Sequence, residues 1–295
     1  MQSSFRGFSL VFTFLAFAAL SPVISAELEV DNVRGNDLQD IVNERGRTPY
    51  RSIQRAVQSA ILGDTIRVRK TDQPYRECIS INTNHQLGTL DFPLIIDGGG
   101  ATLDGSQALS VIDWNAHGND LFELNLRSPG HVRILAAPDQ PVPENLGSLT
   151  DLTKLQPLQY ARNSGAIFFR TRPGDVPQAY GLRVTKEQTG ITLYDVSNLV
   201  IRNFTVTGYR LDGINCHDLV DNVLLENITA VDNGRSGISV GGASQITLQS
   251  STLRGNGKAQ LRAEGQSLVE LVNNKIESDT SEPIERAGGR VIESR

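Results

Sequence analysis

The sequence predicts an all-β chain wound as a parallel β-helix solenoid, and three observations carry that prediction. Four blocks starting at Ser197, Asp221, Ser244 and Ser267 follow one another at steps of 24, 23 and 23 residues. Within each block apolar residues alternate with polar ones, the two-residue period of a strand. Each block closes on the same kind of corner residue, Asn203, Asn227, Ser250 or Asn273. A unit this short cannot bury its own inner face and must stack on its neighbours. A leucine-rich repeat would need its Leu-x-x-Leu-x-Leu frame and a helix, so short strands at a period near 23 fit the β solenoid better.

Residues 1–26 read as a secretory signal, with Arg6, an apolar stretch from Phe8 to Leu20, a break at Ser21-Pro22 and small residues Ser25-Ala26. The expected location is therefore secreted or periplasmic, an uncleaved membrane anchor being the alternative. No Cys lies near the cleavage region, which argues against a lipid anchor. Removing this segment removes one base and no acid, so the mature charge is 27 − 33 = −6. A mildly acidic chain without a Lys/Arg block is a poor partner for nucleic acid or an anionic bilayer, and no membrane span is expected after cleavage. Local basic patches leave an acidic glycan open as a partner, and a monomer is the expected state.

The β-helix domain is expected over 27–278. Pro49 and the stripe Ile53, Ala56, Val57, Ala60 and Ile61, ended by Gly63, predict a helix over about 49–62 that caps the open end of the solenoid. Strands follow at Thr65–Arg69, Ile79–Ile81, Leu94–Ile96, Ala101–Leu103, Val111–Asp113, Leu121–Leu126 and Val132–Leu135. Residues 136–164 break the pattern with Pro138, Pro141, Pro143 and Pro157, and Leu146, Leu149, Leu152, Leu155 and Leu158 fall at steps of three. This predicts an excursion along the side of the solenoid, the kind of segment that walls a groove. Residues 279–295 read as a polar tail or cap.

Four inward columns should run through the repeats: Leu199, Val223, Ile246, Val269; Ile201, Leu225, Leu248, Leu271; Val206, Ala230, Leu253, Ile276; and Ile191, Ile214, Ile238, Leu261. The Asn column suits a left-handed corner and a ladder of stacked amides. Asn203-Phe204-Thr205 and Asn227-Ile228-Thr229 are also glycosylation sequons, the competing reading. Gly190, Gly213 and Gly237 form a second turn column. Cys78 and Cys216 should lie some five coils apart, on the order of 24 Å at strand spacing. That is too far for a disulfide, and both are expected to be buried free thiols.

The opening Tyr50-Arg51-Ser52-Ile53-Gln54-Arg55-Ala56-Val57, then Gly63-Asp64-Thr65-Ile66-Arg67-Val68 and Pro93 to Gly105, resembles the right-handed parallel β-helix superfamily that contains pectate lyases and polygalacturonases. Its members cleave, epimerise or bind polysaccharides, so the resemblance implies a glycan partner without assigning a reaction. Asp212-Gly213-Ile214-Asn215 with Asn222 to Asn227 is similar to the polygalacturonase stretch that carries its first catalytic Asp. The adjacent aspartates due one coil later are replaced by Arg235-Ser236-Gly237-Ile238, with Asp232 three residues earlier. Inverting hydrolysis needs two carboxyl groups across the sugar, so a hydrolase is disfavoured.

A lyase needs a neutraliser for the uronate carboxylate and a base for the neighbouring proton. Arg235 and Lys258 are one coil step apart and should sit one above the other. The candidate catalytic set is Asp212, Asp232, Arg235, Lys258 and His217, with Tyr209 a further possible base. No cofactor is evident and no metal ligands are assigned; Ca2+ is compatible with a lyase. In the alternative, long cations at turns splay into water and the protein is a non-catalytic cell-surface or extracellular carbohydrate-binding or structural module. Asp195 and Asp218 should form turns, and Asp97 and Asp104 should shape a glycine turn. His85, His117 and His131 share no spacing and are expected at the surface or in packing; Trp114 is expected in the core.

Overall fold

A computed structural model describes residues 25–38, 47–82, 88–126, 130–137 and 139–294. His85, Pro138 and all but the last two residues of the expected signal segment lie outside this set.

Two parallel sheets carry the solenoid. Sheet A runs Glu27–Val30, Thr65–Val68, Leu94–Asp104, Ser197–Thr207, Asp221–Glu226, Gln245–Gln249, Leu268–Val272 and Arg290–Ser294, with Thr229–Val231, Thr252–Arg254 and Lys275–Ile276 alongside. Sheet B stacks Ile79–Asn82, Ile191–Tyr194, Asp212–Asp218, Ser236–Val240, Ala259–Glu264 and Glu282–Ala287. All four expected columns are in register, for example Ile201 on Leu225 on Leu248 on Leu271. The fourth column extends to Ile79 and Ile284. Their side chains form one continuous core, and Leu225, Leu248 and Leu261 are wholly buried. The apolar pattern could therefore be satisfied only by stacking, since each strand presents its inner residues to the coil above and below.

The corner column adopts the left-handed backbone at every position, with φ of 60°, 50°, 50° and 54° at Asn203, Asn227, Ser250 and Asn273. Asn227 Nδ2 donates to Asn203 Oδ1 at 2.7 Å, and Asn203 Nδ2 donates to Asp97 Oδ1 at 2.8 Å. A second ladder joins Asn222 to Asn198, and a third, buried one joins Asn233 to Asn256. The Gly190, Gly213 and Gly237 column has another cause than expected. None has positive φ. A Cβ on Gly190 would lie 2.5 Å from Gly213 O, so close packing between coils excludes a side chain there.

The helix spans Ile53–Ser59, shorter than expected, and starts after Ser52 rather than at Pro49. Ser52 Oγ accepts from Arg55 N, and the Glu77 carboxylate accepts from the Ile53 and Gln54 amides. Ile53, Ala56 and Val57 join the solenoid core, whereas Ile61 is exposed.

Three further expectations are corrected. The stack is interrupted not over 136–164 but over 105–190, because Leu94–Asp104 pairs directly with Ser197–Thr207 and Ile79–Asn82 with Ile191–Tyr194. Gly105 O accepts from both Lys186 N and Glu187 N, joining the two ends of this insertion at a neck. Inside it, Val111–Asp113 is a 3-10 turn, and Leu121–Leu124 lies in a sheet with Trp114–Ala116, Glu144–Ser148, Gln159–Asn163 and Ala166–Arg170. Apolar alternation is the same in an antiparallel sheet as in a coil, so the pattern did not separate them. The insertion has its own core around Phe169 and Tyr160, against which Trp114 packs. The stretch after 279, expected as a tail or a cap, is a further coil that belongs to the stack, since Glu282–Ala287 and Arg290–Ser294 continue sheets B and A. Finally, Cys78 and Cys216 are two coils apart rather than five. Cys216 is buried and Cys78 exposed, and both are free.

Candidate functional site

Sheet-B strands send alternate residues inward to the core and outward, and the outward ones stack in register. One outward column runs Ser80, Thr192, Asn215, Ser239, Arg262 and Glu285. Beside it, Tyr194 and His217 form a ring pair with centroids 5.9 Å apart. Both rings are exposed, Tyr194 by 44%. His217 therefore belongs to an aromatic platform. It shares a strand with Asp212 but stands five residues along it, about 17 Å at strand rise, and the two do not form one site.

At the other end of these strands the backbone stacks Arg235 directly against Lys258, whose amide donates to Arg235 O at 2.7 Å. The expected vertical neighbours are present. Their side chains diverge, which is how the like charges are accommodated. Arg235 turns back to Asp212, Nε donating to Oδ1 at 2.9 Å and Nη2 to Oδ2. Lys258 turns forward to Glu285 Oε1 at 2.8 Å. Arg262 donates to Glu285 and Glu264. Three cations thus meet three carboxylates.

Asp212 is wholly buried and also accepts from Ser236 Oγ. A carboxylate held by a guanidinium fork and a hydroxyl, with no exposed surface, has no open face for a substrate proton. Its hydrogen bonds raise the Arg235 guanidinium above its ordinary value. Burial pushes the Glu285 carboxyl up, but Lys258 and Arg262 outweigh that and hold it below its ordinary value. Asp232 stands apart at a left-handed turn position, φ 56°. Burial raises its carboxyl, with Arg133 and Arg254 offsetting part of the rise. Tyr209 is buried and donates to Glu77 O at 2.7 Å, so it is not an accessible base.

The insertion adds what the repeat lacks. Its loop presses His131 O against Gly234, and the exposed His131 ring stands in the field of Arg235, Lys258 and Arg262. Burial and those cations lower the imidazole, and Asp212 offsets only part of it. A group held in this way stays neutral to a lower pH than an ordinary histidine. Arg262 is 6% exposed and its Nη1 is buried without a partner. Among the described residues, no three His, Cys, Asp or Glu side chains are grouped to hold a metal ion.

The family described as "Right handed beta helix region" matches residues 171–293. The protein has a right-handed parallel β-helix fold. A solved glycoside hydrolase is 11% identical to this β-helix, with a TM-score of 0.50 over 84% of this chain and 74% of that one. XylC in complex with xylose is 10% identical, with a TM-score of 0.42 over 90% and 68%. A rhamnogalacturonan lyase is 8% identical, with a TM-score of 0.38 over 90% of this chain and 62% of its own length. No curated protein matches the chain. No described helix is long and apolar enough to cross a membrane.

Sequence reasoning about the β-helix missed Arg262, Glu264, Glu285 and His131. Glu285 and Arg262 were within reach, since each lies one further 23-residue step along the column from Ser239. His131 carried no such signal, because only the folded insertion brings it to this face.

Proposed function

We propose that the protein is an exported glycan-binding β-helix that holds a polysaccharide on the outer face of sheet B. The observation that carries this reading is the exposed Tyr194–His217 pair beside the outward polar residues Ser80, Thr192 and Asn215. Exposed rings offer an apolar face to a sugar ring, and flanking amides and hydroxyls orient its hydroxyl groups. The likeness to a glycoside hydrolase fold supports a carbohydrate partner. The charge cluster favours binding over hydrolysis, because Asp212 is enclosed and each cation already has a carboxylate. Export rests on residues 1–26 and is tested by N-terminal sequencing of the protein recovered outside the cytoplasm.

Titration calorimetry with pectate, alginate and chondroitin tests the binding. Tyr194→Ala should weaken the bound polymer about tenfold without changing stability, the side chain being surface-placed. Equal affinity in the variant, or no binding to any of the three polymers, would count against the reading.

One observation favours a lyase as a second reading. His131 is exposed, biased toward its neutral form and within the electrostatic field of Arg235 and Lys258. In β-elimination a base takes the proton beside the uronate carboxylate, that electron pair becomes the C=C bond, and the glycosidic oxygen leaves and is protonated. Unsaturated-uronate absorbance that disappears in His131→Gln would support this chemistry; its absence with all three polymers, with and without Ca2+, would remove it for those substrates.

A further inference from the structure

Where the insertion leans on the turns of the β-helix it encloses a cavity of about 170 Å3. Arg133 and Arg162 line it from the insertion together with Asn145 and Ser148, and Gly234 and Gly257 close it from the solenoid side. Neither arginine is in an ion pair among the described residues. Arg162 donates to Gly130 O at 2.6 Å and Arg133 donates to Gly255 O, so both fix the fold through neutral carbonyls. Arg133 Nε is buried without a partner. This contrasts with the neighbouring cluster, where Arg235, Lys258 and Arg262 all have carboxylates.

Arg162, held by a carbonyl that leaves its charge uncancelled, and Arg133, whose charge is shared in part with Asp232, line the same small concave space and together make a built receptor for an anion. Asn145 and Ser148 are exposed at the cavity and supply neutral hydrogen-bonding groups of the kind that sugar hydroxyls need. The cavity is separate from the Tyr194–His217 platform. We propose that this seam is a second glycan subsite, which takes one acidic sugar residue through its carboxylate. The inference rests on the glycan reading above and extends it to a place that only the insertion creates.

The test is binding of D-glucuronate, D-glucose and inorganic sulfate to the full chain, followed by calorimetry and by NMR shifts. Saturable binding of glucuronate but not glucose, weakened at least about tenfold in Arg162→Gln, is expected. Ser148→Glu places a carboxylate at the cavity without removing a hydrogen bond and should abolish binding, so it remains informative if Arg162→Gln folds poorly. Glucuronate affinity unchanged in Ser148→Glu, no glucuronate binding, or sulfate binding as tightly as glucuronate would each overturn the subsite. Polymer bound without glucuronate refutes the subsite and leaves the glycan reading standing; neither bound refutes both.

Discussion

Arg235 shows how much a single position in a stacked fold is decided by its vertical neighbours. Its guanidinium is the chief partner of a carboxylate with no exposed surface. Arg235→Ala would leave Asp212 charged, buried and held only by Ser236, and such truncations cost about 3 kcal/mol or more. Urea denaturation should show that loss, and Arg235→Gln with Asp212→Asn should lose less than the two single variants added together. Additive losses would mean that the pair is not coupled. The same arrangement gives Asp212 another role than the catalytic one its sequence resembles. The Asp212-Gly213-Ile214-Asn215 stretch carried that likeness, and the cation one coil later reads equally as a neutraliser of substrate charge or as half of a closed ion pair. Only the side-chain directions choose between them.

Among the elements, the corner ladder is the most specific. Asp97 receives Asn203 Nδ2, the Gly99 amide and Arg202 Nε at 2.8, 3.0 and 2.9 Å, and Asn227 stacks on Asn203. Burial pushes the Asp97 carboxyl up, but these donors outweigh it and hold it below its ordinary value. A carboxyl lowered in the folded state contributes stability above its unfolded value, and loses that contribution as pH falls through the folded one. As pH falls from about 5 through the lowered folded value, the native protein should therefore lose more stability than Asp97→Asn, and the two curves should converge in acid. Parallel curves would refute the ladder as a source of acid sensitivity. The sequence exposed the Asn column because a left-handed corner selects few residue types. It hid the cause of the Gly190, Gly213 and Gly237 column, since a small residue demanded by close packing looks the same as one demanded by φ.

For the whole molecule, the decisive feature is the insertion at 105–190 and its contact with the turns at Gly234 and Gly257. A Cβ on Gly234 would lie 1.9 Å from His131 O and 2.2 Å from Arg210 O, both backbone atoms. Gly234→Ala should move the 130–137 loop off the solenoid, cost about 1–3 kcal/mol and raise hydrogen exchange there. It should also impair glucuronate binding while sparing the Tyr194 face. Unchanged exchange at 130–137 would show that the insertion does not depend on this contact.

The sequence by itself determined the coil, its four apolar columns, the Asn corners and the vertical pairing of Arg235 with Lys258. These all follow from one strand period repeated at a constant step, which turns spacing along the chain into neighbourhood in space. Tertiary structure alone decided where the chain leaves the stack, which carboxylate each cation meets, and that His131, Arg133 and Arg162 arrive beside the turns. Those outcomes depend on contacts between segments with no shared period, so no spacing encodes them.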